Sequence, residues 1–171
     1  MNVAEQIDEY LAGKGVTHAF GIVGGANLPL VSALAERLEF VAVAHEQAAA
    51  MAANYYYRVS GKLAPVIPTN GGGTMNALTG VVDAQMDGIP LLVISGNEQL
   101  RWFALPRTRT IGFQGVDPTM ITASFVKQAV RPDNPLGAKL ALDALYNLAL
   151  EPRMGACWLD MPQDVANAVA E

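Results

Sequence analysis

The chain is 171 residues long, with 51% hydrophobic residues, 16% charged residues and a net charge of −5. That length supports one domain, residues 1–171, with a sizeable core, and so little charge calls for either a large core or apolar surface covered by a partner. The acidic balance argues against a nucleic-acid surface, and no run reaches the roughly 18 apolar residues of a membrane span.

The segment Met1-Asn2-Val3-Ala4-Glu5 lacks the basic start and apolar run of a secretory leader, so a cytoplasmic protein is expected. Val3, Ile7, Tyr10 and Leu11 form a helical apolar stripe that Gly13 and Gly15 end. Val16 to Val23 reads as a strand closing on Gly24-Gly25, followed by a helix from Leu28 to about Leu38. Phe40 to Ala44 is a second strand, and an alanine-rich helix starts at Glu46. Ala64 to Pro68 is a short third strand, Asn70 to Gly73 a loop, and Thr74 to about Met86 a helix. Leu91 to Ser95 is a fully apolar fourth strand. Arg101 to Asp117 shows no period and reads as a long loop, and Phe125 to Val130 as a fifth strand. Asn134-Pro135 caps and opens a helix to about Leu150. Gly155 to Asp160 is the sixth strand, which Met161-Pro162 ends, and its one cysteine, Cys157, is expected to be a buried small residue. A lone cysteine excludes an intramolecular disulfide and any cysteine-built metal site. Alternating strands and helices predict a three-layer α/β/α fold with a six-stranded, mostly parallel sheet.

His45-Glu46-Gln47-Ala48-Ala49-Ala50 places a carboxylate between an apolar strand and an alanine-rich helix. Open α/β folds bind ligands at that sheet edge. Apolar surroundings should raise the pKa of Glu46 and suit it to handling a proton near neutral pH. The alternative is a first-turn glutamate favoured by the helix dipole. The triple glycine Gly71-Gly72-Gly73 lets backbone approach a ligand or simply makes a tight turn; it fits neither the dinucleotide fingerprint nor a phosphate loop. Gly24-Gly25-Ala26-Asn27 leaves space above the sheet, or turns into the second helix with Asn27 as its cap. All three loops follow strands and share one sheet edge, which points to a binding site. Arg101, Arg107 and Arg109 punctuate the long loop and read mainly as solvated, the alternative being contact with an acidic substrate or a partner chain. His18 reads as structural, and Tyr55-Tyr56-Tyr57 points around a helix, so that part of it is left for a subunit contact.

Four motifs in order resemble the thiamine-diphosphate enzymes: Phe20-Gly21-Ile22-Val23-Gly24-Gly25-Ala26-Asn27-Leu28-Pro29, His45-Glu46-Gln47-Ala48-Ala49, Thr69-Asn70-Gly71-Gly72-Gly73-Thr74-Met75-Asn76, and the segment from Asp83 to Gly96. Phe113-Gln114-Gly115-Val116-Asp117 and Met161-Pro162-Gln163-Asp164-Val165 extend the likeness over nearly the whole chain. It is greatest to the amino-terminal, pyrimidine-binding domain of the acetolactate synthase and 2-oxoacid decarboxylase group.

The resemblance implies roles. Glu46 would hydrogen-bond the aminopyrimidine of thiamine diphosphate and favour its imino tautomer. The cofactor would act as the electron sink for loss of CO2 from a small 2-oxoacid. Gly24, Gly25, Ala26 and Asn27 would line the substrate side. Gly71, Gly72, Gly73 and Asn76 would lie near the pyrimidine and a partner chain, and Gln114 near the reacting centre. Val23 and Gly72 stand where the family usually has proline, which bears on substrate choice. The family's Gly-Asp-Gly…Asn motif, which holds Mg2+ and the diphosphate, does not occur here. The expectation is therefore a pyrimidine-binding subunit of a split enzyme. Mg2+ would be held by a diphosphate-binding partner, in a hetero-oligomer of the α2β2 type or larger, with decarboxylation and possible carboligation. The alternative is a non-catalytic stand-alone domain, or a fragment of a full-length enzyme.

Overall fold

The computed structural model describes residues 1–106 and 109–170. In chain order the elements are α1 (Val3–Gly13), β1 (His18–Gly21), α2 (Leu28–Leu34), β2 (Glu39–Ala42), α3 (Glu46–Ser60), β3 (Val66–Ile67), α4 (Gly72–Asp87), β4 (Leu91–Asn97), α5 (Leu100–Phe103), α6 (Pro118–Thr122), β5 (Gln128–Val130), α7 (Pro135–Leu150), β6 (Ala156–Pro162) and α8 (Gln163–Asn167). The sheet runs β2-β1-β3-β4-β6-β5 and every pairing in it is parallel. β4 and β6 share seven register pairs, from Leu91 opposite Ala156 to Asn97 opposite Pro162, and both are buried throughout.

Two cores flank this sheet. One joins α1, α2 and α7 to residues such as Leu92, Ile94, Leu159 and the buried Cys157. The other joins α3 and α4 to Val66, Val93 and Trp158. Leftward steps in the sheet (β1 to β2, β5 to β6) use the first face, and rightward steps (β2 to β3, β3 to β4) use the second, as one crossover hand requires. The chain leaves β1 to one side for β2 and returns on the other for β3. Their carboxyl-terminal loops diverge there, at the crevice where doubly wound sheets take ligands.

Local chemistry sets the helix ends. Asn2 and Glu5 form a reciprocal capping box on α1. Asn134 caps Gly137 N at 2.8 Å and Pro135 opens α7, as the sequence indicated. Several predicted boundaries move. β1 is shorter than Val16–Val23, because the Ile22 carbonyl leaves the ladder to accept from Asn27 Nδ2. α2 stops at Leu34, α4 starts two residues early at Gly72, and β6 runs on through Met161 and Pro162. The segment from Arg101 to Asp117 is not all loop. It includes most of the four-residue α5, too short to show a period, and an antiparallel bridge between Ile111 and Gly115. Among the described residues, no helix is long and apolar enough to cross a membrane.

α3 and α4 approach closely because small side chains face each other. Ala49, Ala50 and Ala53 are buried, and a Cβ on Gly80 would lie 2.6 Å from Ala50 Cβ and 2.9 Å from Met51 N. Gly80→Val must push the helices apart, and overpacking of this kind costs about 1–3 kcal/mol. Urea unfolding should show that loss, whereas Gly13→Ala, whose new methyl group meets nothing within 4 Å, should leave stability unchanged or slightly raised.

Candidate active site

Glu46 is the first residue of α3, four residues beyond the end of β2. Its neighbour His45 caps the helix, Nδ1 accepting from Gln47 N at 3.2 Å. The glutamate is only 6% exposed. The close contact of α3 with α4 brings two residues of the first turns of α4 against it. Asn76 Nδ2 donates to Oε2 at 3.0 Å, and a Cβ on Gly73 would sit 2.8 Å from Oε1. Any side chain at position 73 would fill the space at that oxygen. Among the described residues, Asn76 is the one hydrogen-bond donor to this carboxylate, and no cation pairs with it.

Thr69 lies two residues beyond the end of β3, between this carboxylate and the β1–α2 turn. Its Oγ1 is buried without a hydrogen-bond partner, 2.5 Å from where a Cβ on Gly24 would be. An open carboxylate oxygen above a glycine, beside an unpaired buried hydroxyl, fits a planar hydrogen-bonding ring such as an aminopyrimidine. The glycines differ in what they do. Gly71 has φ +66° and lies against the Gln114 carbonyl, where a Cβ could not fit. Gly25 and Gly72 are exposed and meet nothing, so their smallness leaves space and relieves no clash.

The second half of the site is a cavity of about 270 Å³ lined by Gly25, Ala26, Asn70, Asn97, Glu98, Phe113, Gln114 and Gln163. It unites loops after β1, β3 and β4 with the segment 111–115. Ala26 is pressed onto the end of β4, since a Cβ on Gly96 would come within 2.5 Å of its carbonyl. Asn27 is fully buried behind this turn. Its Oδ1 accepts from Gly24 N at 2.7 Å, and Nδ2 donates to Ile22 O and Ile67 O at 2.9 and 3.0 Å. It stitches the turn to β3 and does not cap α2 with its side chain. Gln163 Nε2 donates to Gly25 O at 3.0 Å. Gln114 Nε2 donates to Asn70 Oδ1 at 2.7 Å.

Behind the cavity lies a buried polar network that sequence reasoning missed. Asp160 on β6 is fully buried and accepts from Ser95 Oγ at 2.9 Å, Asn97 Nδ2 at 2.9 and 3.0 Å and Arg131 Nε at 3.0 Å. Trp158 Nε1 donates to Ser95 Oγ at 2.8 Å. Arg131 also bonds Asp117 and stacks over Phe103, 3.7 Å from its centroid. Asn97 Nδ2 further reaches Val116 O at 2.9 Å, which pins the segment carrying Gln114. The signal was legible: Ser95, Asn97 and Asp160 are polar residues in buried strands, and Ser95 and Asn97 alternate onto one face. Glu98, the first charge after β4, was likewise passed over.

The remaining candidates lie elsewhere. Arg101 stacks its guanidinium 5.2 Å from the centroid of the Trp102 ring, Arg109 lines a separate hollow beside Met120, and Arg107 falls outside the described residues. His18 is tied into the fold by Thr17, Tyr56 and Glu39. Tyr56 packs inward on Phe20, whereas Tyr55 is 60% exposed.

Comparison with known proteins bears on this geometry. Residues 1–119 match the family model for the thiamine pyrophosphate enzyme, N-terminal TPP binding domain. The acetolactate synthase of Arthrospira platensis is 35% identical over 161 residues, 90% of this chain and 27% of that protein. The acetolactate synthase isozyme 2 large subunit of Escherichia coli is 32% identical over 166 residues, 96% of this chain and 29% of that protein. Among solved structures, the thiamine diphosphate-dependent 4-hydroxybenzoylformate decarboxylase of Rhodococcus jostii RHA1 superposes with a TM-score of 0.90 at 24% identity, covering 100% of this chain and 32% of that one. The chain thus spans between a quarter and a third of the length of these relatives.

Burial pushes the Asp160 carboxyl up to about 6, against the pull of Asn97, Arg131 and Ser95. The folded state therefore holds a proton that the unfolded state, near the ordinary carboxyl value of 3.8, gives up first. The stability this contributes is full below the unfolded value and is lost as pH rises through about 6. The difference in unfolding free energy between wild type and Asp160→Asn should shift against the wild type by up to about 3 kcal/mol between pH 4 and pH 7. Denaturant titrations across that range read it directly, and a flat difference would place the titration elsewhere.

Proposed function

Because this chain belongs to the thiamine pyrophosphate enzymes, of which it carries the N-terminal TPP-binding domain in an acetolactate synthase-like form, we propose that it is the pyrimidine-binding subunit of a split enzyme acting on a small 2-oxoacid. The observation that carries this reading is the buried Glu46 carboxylate, with one oxygen held by Asn76 and the other open above Gly73. Thiamine diphosphate, when bound, supplies the electron sink for decarboxylation, with possible carboligation to a second carbonyl. Glu46 holds or passes a proton at Oε1, where the pyrimidine nitrogen would sit. Asn76 orients the carboxylate, and Gly71, Gly72 and Gly73 leave room for the ring. On the substrate side, Gly24, Gly25 and Ala26 form one wall, Asn27 stiffens it from behind, and Gln114 faces them across the cavity.

The diphosphate and Mg2+ would be held by a partner carrying the Gly-Asp-Gly…Asn motif, which this sequence lacks. Exposed Tyr55 and Val59 on α3, with Met75 and Met86 on α4, offer such a partner apolar surface. One observation favours a second reading: the chain covers only 27% and 29% of two acetolactate synthases, as would the first domain of a longer enzyme. The mass of the native polypeptide separates the two.

In the assembled enzyme, Glu46→Gln should lower kcat by roughly 10²–10⁴, the usual worth of a positioned acid–base group. Full activity in that variant would remove Glu46 from the mechanism. Thiamine diphosphate with Mg2+ binding to this chain alone, as tightly as to the assembly, would overturn the need for a partner.

A further inference from the structure

We infer that Glu98 is a positioning residue that sets which way the side-chain amide of Gln114 faces the cavity. The reason lies in which groups are able to turn round. Glu98 Oε1 accepts from the backbone N–H groups of Phe113 and Gln114, both at 3.2 Å, and from Asn70 Nδ2 at 3.0 Å. Backbone donors cannot be exchanged for acceptors, so the oxygen they share is an acceptor. Asn70 must then present its NH2 to Glu98 and its Oδ1 away from it. Gln114, meeting that Oδ1 at 2.7 Å, must in turn present Nε2. The orientation passes from a fixed backbone through two amides, either of which would otherwise be free to flip. Among the described residues nothing bonds Gln114 Oε1, so this carbonyl oxygen and the second N–H of Nε2 are the groups left for a ligand.

The loop is built for this clasp. Ile111 and Gly115 close it with reciprocal backbone bonds at 2.9 and 2.8 Å. Gly112, at φ +60°, and Gly115 sit where a Cβ would come within 2.7 Å of the Glu98 side chain. Backbone thus wraps the carboxylate on both sides, while Phe113 itself is 86% exposed. Asn70 completes a closed triangle with Glu98 and Gln114. The consequence for catalysis rests on the reading of Gln114 as facing the substrate; the clasp itself does not.

Hydrogen exchange by NMR on the chain alone tests the clasp without cofactor or partner. In the wild type, the Phe113 and Gln114 amides should be protected although they lie in an exposed loop. Glu98→Leu, which removes the acceptor, should speed their exchange at least about tenfold, the worth of hydrogen bonds to a charged group. The side-chain NH2 signals of Asn70 and Gln114 should lose their fixed environments together. Glu98→Gln keeps an acceptor oxygen and should hold exchange within a few-fold of wild type. Unprotected wild-type amides, an unaffected Glu98→Leu, or a Glu98→Gln as damaging as Glu98→Leu would each overturn the inference. In the assembled enzyme, Glu98→Leu should raise KM for the 2-oxoacid more than it lowers kcat. An unchanged KM beside the expected exchange would leave the clasp standing and remove Gln114 from the substrate.

Discussion

A carboxylate buried on β6, opposite Ser95 of β4, governs how this sheet edge is built. Removing Asp160 from water costs several kcal/mol unless the protein supplies donors in good geometry. Here Ser95, Asn97 and Arg131 supply them. Each is thereby fixed, and two of them carry the constraint outward: Asn97 to the Val116 carbonyl and Arg131 to Asp117. The irregular segment after β4 is held at its far end by a charge that sits in the middle of the fold. Glu98, next to Asn97, therefore starts from a fixed backbone when it takes hold of residues 113 and 114. Loss of Arg131, the cation of this set, would leave the Asp160 charge uncompensated in the core, a cost that breaking a surface ion pair does not carry.

The Glu46 half of the site rests on different physics. No buried charge is needed to assemble it. Alanines on α3 and Gly80 on α4 let two helix backbones approach, and that approach delivers Gly73 and Asn76 to the carboxylate. Packing is dense and short-ranged, so this half is as rigid as the core it extends. The two halves meet at Asn70 and Gly71, between Glu46 and the cavity, where the triple-glycine turn touches Gln114 on one side and leads into α4 on the other.

That difference explains what could be read from the sequence. Strand and helix alternation, the cap at Asn134 and the junction at Glu46 are local signals, and they indicated the layers, the parallel sheet and the edge on which the loops converge. Boundaries moved where a side chain competed with the ladder, as Asn27 does at Ile22. Asn27 also shows the limit of assigning a role by position alone. It lies in the expected loop, but its hydrogen bonds run to backbone behind the cavity. Asp160, Arg131 and Glu98 escaped because their meaning depends on partners about 15 to 65 residues away in the chain. No periodicity encodes such pairings. Polar residues within otherwise apolar strands were the available trace.

Glu46, Glu98 and Asp160 share this sheet edge, and the donors that face these three carboxylates separate their tasks. Asp160 has both oxygens engaged, by a serine, an asparagine and an arginine, and has no lone pair aimed at open space; its work is structural. Glu98 commits Oε1 to three donors, two of them backbone, and so can orient neighbours but cannot easily leave them. Glu46 has a single donor from the protein, on Oε2, and a glycine where another residue would close off Oε1. A group that is to exchange a proton with a ligand must keep one oxygen uncommitted in the folded chain while staying shielded from bulk water. Of the three, Glu46 alone meets both conditions. Burial by itself does not mark it out, since Asp160 is more deeply buried, and neither does an unclaimed oxygen, since Oε2 of the less buried Glu98 is also without a donor among the described residues; the two together do.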